Sequence, residues 1–586
     1  MEETMKPCDK HELILEASAK APDPHTQRLA VLSTFAISTN NAKRFVQKME
    51  QDGFDKHRLL TAEDKSLSEV PGLTPFQVER MVFNTRYQYQ PFVIVMCQST
   101  QEVQQAYLTA IELQLPIRVR SGGHDHAGEC SGDNVVLIDV TGIKTFKLDE
   151  DGVIATIGAG FRFYELTPLL AEHNRMIAHG TCATVGLTGF IQGGGWGPWT
   201  RKYGMCCEYL RSATLVLGDG SVIRASKDCY SELFWALRGG GGMSYGIITE
   251  MEIETFALPN EIIRFELEWN PYHKEEQKCP QQLEYSKPQP CQSTLHILKA
   301  WEQVVNETPQ TDSCQLLGTN LKIDALPAID DFPTQEDLNS IGLLSHHCLM
   351  YGYWEGTPDS LTEFLNSRFK TCMPNEVTIH TPHGANYPNN LYDHSLMSSW
   401  GRYSLGQNGT PFPPDYDAPA PHKITSRLVK EDGLSDEGYR ELLLSLISPL
   451  IKPENRELGL FSYVTLGAIA GDFYSITQPN DLEDIAFPYR NCQYTIQYQT
   501  WWNEEIKQKF EFQNNPVLVD VNRAMDWIDK AREQKIEGTG GAFISFKDPS
   551  IPTEIYFGEH YERLVKAKKV YAKDPFNHLR TNKTIF

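Results

Sequence analysis

The chain has 586 residues, 40% hydrophobic and 22% charged, with a formal net charge of −22 at pH 7. This is the composition of a globular protein long enough for two or three cored domains, and its acidic surplus argues against non-specific binding to nucleic acid. No apolar run reaches the ~20 residues that span a bilayer. The opening MEETMKPCDKHELILEASAK lacks the apolar stretch of a secretory signal, so a cytoplasmic protein with mostly reduced thiols among its 13 cysteines is expected.

Residues 1–85 read as a helical extension. Phe45, Val46 and Met49, then Phe76, Val78, Met81 and Val82, recur at helical spacing around a Pro71-Gly72 turn. From residue 86 the pattern becomes alternating strand and helix. Residues 92–97 form an apolar strand, and Ser99 with Glu102 has the form of a capping box opening a helix with Val103, Ala106, Tyr107 and Ala110 on one face. Pro116 ends that helix and residues 117–120 are a second strand. Residues 135–140 and 153–157 supply further strands, 163–174 a helix, and 213–217 with 222–225 a hairpin around Asp219-Gly220. The interleaving predicts an α+β domain over 86–260.

Residues 261–505 read as a second domain. It contains a Pro/Gln/Cys-rich linker at 271–292 and a polar stretch at 374–417, while 461–466 and 494–502 alternate like half-buried antiparallel strands. The last segment, 506–586, returns to helix at 522–534 and 559–571.

The chemistry concentrates in two glycine turns. Arg120-Ser121-Gly122-Gly123-His124 directly follows a strand, and Cys182 lies 58 residues beyond His124 in Gly180-Thr181-Cys182-Ala183-Thr184-Val185-Gly186. Gly193-Gly194-Gly195-Trp196-Gly197 comes soon after. Such turns let backbone approach a flat anionic ligand and offer N–H groups to phosphate. Alone, His124 would be read as a turn cap and Cys182 as a small buried hydrophobe; together they point to a cofactor. A His124-x-His126 metal pair lacks companion ligands, so no metal is expected. Gly158-Ala159-Gly160 and residues 239–242 do not fit the dinucleotide fingerprint of a nicotinamide domain.

These turns are joined in order by residues 134–140 (NVVLIDV), Arg201-Lys202-Tyr203-Gly204, residues 232–242 (ELFWALRGGGG), and Ala486-Phe487-Pro488-Tyr489-Arg490 before Ile496-Gln497-Tyr498. Tyr561 and Asp574-Pro575-Phe576-Asn577 close the series. The set resembles the berberine bridge enzyme-like flavoproteins of the vanillyl-alcohol oxidase superfamily, densely over 86–260 and sparsely over 455–586.

The resemblance implies a PCMH-type FAD-binding domain of two subdomains over 86–260 and a central antiparallel-sheet substrate domain over 261–505. A C-terminal segment over 506–586 would return to the first domain. It implies FAD linked twice, His124 to the 8α-methyl carbon and Cys182 to C6. Around the cofactor it places Arg120, Ser121, Gly122, Gly123, Thr184, Val185 and Gly186. Further contacts would come from Gly193, Gly194, Gly195, Gly197, Tyr203, Gly204, Gly246, Ile247 and Asn577. Val185 would also govern oxygen access.

The implied activity is hydride transfer from an alcohol or secondary-metabolite C–H to flavin, with O₂ as acceptor and H₂O₂ as product. A carbohydrate oxidase or a catalytically silent flavoprotein module are the alternatives. The implied partners are a small-molecule substrate and O₂. On the substrate side the chain departs from its relatives. Phe546 stands where they carry a tyrosine base, and Phe190 where many carry histidine. Gln497 can bind a substrate but has no useful basicity, which leaves Tyr494, Tyr498 and Asp548 as candidate bases.

Overall fold

The computed structural model describes residues 39–70, 72–271, 293–307, 315–328, 339–380, 419–452, 460–476, 482–502 and 516–585. Nearly all of the expected linker at 271–292, and most of the polar stretch at 374–417, lie outside them.

Four short strands, β1 (Leu59–Leu60), β2 (Val93–Met96), β3 (Ile117–Arg120) and β4 (Val136–Asp139), form a sheet in the order β1-β2-β4-β3. The last three are parallel and β1 runs antiparallel at the edge. Parallel neighbours need a crossover, and helix Thr100–Glu112 supplies it between β2 and β3. Ser99 caps this helix by accepting from Glu102 N. The expected reciprocal box is not made, because the Glu102 carboxylate is taken by Gln98 N at 2.7 Å and by Arg58.

The described residues before 85 pack onto this first sheet. Helix Thr39–Gln51 buries Phe45 and Met49 in the same core as Ala106 and Ala110, and β1 widens the sheet.

A second sheet is antiparallel throughout. Its strands are β5 (Phe146–Leu148), β6 (Ile154–Gly158), β7 (Leu210–Val216), β8 (Val222–Ser226) and β9 (Ile247–Glu254), in the order β5-β6-β9-β7-β8. The β7–β8 hairpin turns at Gly220, whose φ of +79° is the left-handed conformation glycine tolerates best. Tyr107 Oη donates to Gly218 O at 2.8 Å and so ties the crossover helix to this hairpin.

The third sheet has eight antiparallel strands: β10 (Ile263–Trp269), β11 (Leu316–Asp324), β12 (Cys348–Trp354), β13 (Glu376–His380), β14 (His422–Val429), β15 (Leu460–Ala468), β16 (Tyr494–Trp502) and β17 (Thr539–Gly540). Their order is β13-β10-β12-β11-β15-β16-β14-β17. Successive side chains in a strand point to opposite faces. On one face Phe265, Leu267, Leu321, Val464, Tyr494, Ile496 and Tyr498 pack beneath helices Thr294–Val305, Pro358–Arg368, Asp436–Ser445 and Pro516–Glu533. At ~1.5–3 kcal/mol for each large apolar side chain buried, that face secures the layer. The other face is polar and lines the cavity described below.

Helix Pro516–Glu533 therefore belongs with the third sheet; Trp527 Nε1 donates to Ser445 O at 2.8 Å. The chain crosses back after β17, near residue 541 rather than 506. Helix Tyr561–Tyr571 then buries Leu564 and Ala567 in the core that holds Leu233, Trp235 and Leu237 of helix Ser231–Leu237. Cys229 is disulfide-bonded, while eight other cysteines of the described residues are free thiols. Cys206 and Cys207 are packed, fully buried thiols.

Candidate functional site

A cavity of about 320 Å³ opens between the glycine turns and the polar face of the third sheet. This is within the usual range for small-molecule sites. The two turns meet backbone to backbone. A Cβ on Gly122 would fall 2.8 Å from Gly186 Cα and closer still to Gly186 N; one on Gly186 would fall 2.7 Å from Ser121 Oγ. Only glycine at both positions permits this approach, and the approach puts His124 and Cys182 on the wall of one cavity.

His124 stacks on Phe83 with ring centroids 3.7 Å apart, and its Nε2 is hydrogen-bonded to Thr184 Oγ1. Cys182 is partly exposed, with Thr181 Oγ1 4.0 Å from its Sγ. The wall also carries Ser121, Gly123, Val185, Gly193, Gly246 and Ile247 from the expected set. At Gly189 a Cβ would meet nothing within 4 Å, and at Gly242 only Gln192 Oε1 at 3.9 Å, so both glycines leave room on the cavity side. A flat cofactor fits such a cradle, between one histidine and one cysteine able to hold it.

Other expected cofactor residues stand behind the wall. Arg120 is buried and pairs with Asp139 at 2.6 Å while donating to the carbonyls of Glu79 and Met81, so it braces the turn from outside the cavity. Thr184 acts through His124. Gly194 packs on Phe487, Gly195 on Cys206, Gly197 on the carbonyl of His179 and Gly204 on Phe473. Tyr203 stacks on Phe256 at 4.3 Å. Asn577 takes a positive φ in the closing turn, its N–H donating to Asp574 O. Gly158 and Gly160 pack on the backbone of residues 140–145.

The roof is the polar face of β11, β15 and β16. Gln497 lies there, as do Asn320, Lys322, Thr465, Gln499 and Trp501, none of which the sequence singled out. Their side chains hold one another: Gln497 Nε2 donates to Thr495 Oγ1 at 3.0 Å, Gln499 Nε2 to Thr465 Oγ1 at 3.2 Å, and Trp501 Nε1 to Gln499 Oε1 at 2.9 Å. The alternation of Thr, Gln and Gln with Tyr, Ile and Tyr along 494–499 was the signal that separates the faces.

That alternation removes two candidate bases. Tyr494 and Tyr498 are one residue off the cavity face and point into the helix layer. Tyr494 bonds Glu302, and Tyr498 Oη lies 2.6 Å from Ser445 Oγ. Burial pushes both phenols above their ordinary range. Asp548 is likewise engaged, accepting from Arg532 at 2.9 Å and from Ser550 N. Phe546 does line the cavity, with Phe190 and Phe543.

Lys547, beside Phe546, reaches Asp125 at 2.6 Å and Glu129 at 3.1 Å. Burial opposes its charge, but the two carboxylates outweigh that and raise its pKa. The ion cluster thereby holds the C-terminal segment against the turn that carries His124.

Residues 91–226 match the model of the FAD binding domain, and residues 542–585 the model described as berberine and berberine like. The chain thus carries an FAD binding domain and a berberine-like C-terminal segment, the two parts that the sequence resemblance implied. A glucooligosaccharide oxidase from Sarocladium strictum is 34% identical over 200 residues, which cover 33% of this chain and 40% of that protein. The match thus spans well under two thirds of that relative's length. Among solved structures, Physcomitrella patens BBE-like 1 superposes with a TM-score of 0.66 at 21% identity, covering 93% of this chain and 98% of that one. A glucooligosaccharide oxidase from Acremonium strictum gives a TM-score of 0.67 at 19% identity, covering 93% and 99%. These likenesses establish the shared fold.

Proposed function

We propose that the chain is an FAD-dependent oxidase that holds its flavin through two covalent links, at His124 and Cys182, and oxidises a C–H bond of an alcohol or secondary metabolite with O₂ as final acceptor. The observation that carries this reading is the placement of His124 and Cys182 on one cavity wall by two turns in backbone contact. The related Acremonium oxidase carries a 6-S-cysteinyl, 8α-N1-histidyl FAD, the same pair of residue types. When bound, the flavin supplies hydride acceptance and passes the electrons on to O₂.

The chain's own residues do the rest. Phe83 and Thr184 fix the His124 ring, and the Lys547 cluster closes the C-terminal segment over the site. The amide roof orients a hydroxylated substrate above the cofactor position. Because Gln497, Gln499, Asn320 and Thr465 present donors and acceptors on a preformed surface, oxidation of an oligosaccharide is the second reading.

Acid-precipitated protein should stay yellow, and its peptide map should show one flavin on both His124 and Cys182. Flavin released wholly into the supernatant would refute the double link. Anaerobic bleaching by sugars as against aromatic or allylic alcohols then separates the two substrate classes, and no bleaching by either would leave a silent binding module.

A further inference from the structure

A second histidine, His126, lines the cavity and is paired with the buried His422 behind it. His126 stands two residues past His124, and its Nδ1 lies 2.9 Å from Nε2 of His422 on β14. His422 Nδ1 lies 2.9 Å from Ala420 O. A carbonyl can only accept, so His422 Nδ1 must carry the proton. His422 is fully buried, and burial holds it far below the ordinary imidazole range and therefore neutral. Its Nε2 is then an acceptor, and His126 Nδ1 must donate to it. In neutral His126 this leaves the lone pair on Nε2.

The pair is fixed from every side. Asn84 Oδ1 accepts from His422 N at 3.1 Å, and Asn84 Nδ2 donates to His126 O at 2.7 Å and to His422 O at 3.1 Å. Trp501 stacks on His422 at 3.7 Å, and the Phe546 ring lies 5.9 Å from His126. The charged and titratable groups around the pair are Arg86, which donates to His422 O, Asp125 and Glu129, both bound to Lys547, and His124, stacked on Phe83.

We propose that His126 Nε2 is the proton acceptor of the oxidation and that His422 is the positioning residue that sets its tautomer. This rests on the oxidase reading above. As the hydride of the substrate's C–H bond leaves for the flavin, the proton of the hydroxyl on the same carbon passes to His126 Nε2. The alcohol becomes a carbonyl, and His126 becomes an imidazolium whose Nδ1–H is still held by His422. The arrangement follows the logic of a base oriented by a second group through its other ring nitrogen, with a buried neutral histidine in the orienting position.

The test uses the flavinylated full chain labelled with ¹⁵N-histidine, alongside His126→Asn, whose amide can still donate to His422, and the pair His422→Leu and His422→Gln. NMR at pH 8 should show Nδ1–H tautomers for both histidines, assigned by the signals each variant loses. Anaerobic bleaching is then followed with cellobiose and with cinnamyl alcohol.

For whichever probe bleaches the wild type, His126→Asn should slow reduction ~10²–10⁴-fold, the usual worth of a general base, with little change in probe Kd. His422→Leu should move the acid limb of the pH profile to lower pH, because the imidazolium loses its acceptor. His422→Gln, whose amide oxygen takes the same bond, should restore much of it. An Nε2–H tautomer on His126, or reduction of His126→Asn within a few-fold of wild type, overturns the proposal while leaving the oxidase intact. A wild type bleached by neither probe overturns the oxidase reading and this proposal with it.

Discussion

Gly122 offers the sharpest perturbation of the attachment site. In Gly122→Ala the new Cβ would lie 2.8 Å from Gly186 Cα, 3.1 Å from Thr184 O and closer still to Gly186 N. All three are backbone atoms, so no side chain can swing aside. Ordinary carbon contacts lie near ~3.5 Å, so the two turns must part by roughly 1 Å. Overpacking of this kind costs ~1–3 kcal/mol, and a 1 Å misplacement of reacting groups costs ~10²-fold in rate.

The double link should therefore fail before the fold does. Acid-precipitated Gly122→Ala should carry flavin on one residue or none, with a melting temperature lowered by only a few degrees. Gly342→Ala is the control, since its Cβ meets nothing within 4 Å and Gly342 is not part of the cavity wall. Stoichiometric flavin on both His124 and Cys182 in Gly122→Ala, formed at the wild-type rate, would show that backbone contact between the turns does not position the two residues.

Val185 lines the cavity and is partly buried; one more methylene in Val185→Ile should slow reoxidation of the reduced flavin in air by roughly tenfold, the equivalent of ~1.4 kcal/mol, with anaerobic reduction unchanged, and equal reoxidation rates would count against it. Tyr498→Phe removes a hydroxyl from the helix face, so it should cost ~1 kcal/mol of stability in a denaturation assay and leave flavin reduction unaltered; a large loss of reduction rate would return Tyr498 to the cavity. His347 sits between Asp324 at 3.0 Å and Glu268 at 2.7 Å. Burial disfavours its cation, but the hydrogen bonds it donates to the two carboxylates win and raise its pKa to about 9. Against ~6.5 unfolded this is worth up to ~3 kcal/mol; with the folded value raised, the stabilisation is complete below pH 6.5 and lost as pH rises through 9. His347→Gln should thus melt below wild type at pH 6 and converge with it by pH 10, and a gap equal at both pH values would refute the linkage.

The first two sheets were legible because their signals are local. Glycine turns, the Pro116 stop and the Asp219-Gly220 hairpin act over a few residues, and β2, β3 and the β7–β8 hairpin stand where those signals point. The edge role of residues 59–60 was not legible, since two leucines carry no period. The helices Thr294–Val305, Pro358–Arg368 and Asp436–Ser445 went unread because each is short and set among polar segments, and their apolar stripes make sense only against the third sheet. His422 had no motif at all. It lies 296 residues from His126, and only the pairing of β14 with β16 sets it beside Trp501 at the cavity.

The face a residue takes on β16 decides its role here, and that face is fixed by a single step in sequence. Tyr494 and Tyr498 have the chemistry of a base but the parity of the core; Gln497 and Gln499 have the parity of the cavity but no basicity. A one-residue slip would exchange the sets and bury two amides under the helices, where each lost hydrogen bond costs ~1–3 kcal/mol. The helix layer that keeps Tyr498 out of the chemistry therefore also holds the amide roof in register. Along the same sheet face, on β14, the register that opposes His422 to Trp501 stacks a buried imidazole against a ring of the cavity wall. The proton acceptor proposed above therefore comes from the turn that carries His124, and β14 supplies only the histidine that would orient it.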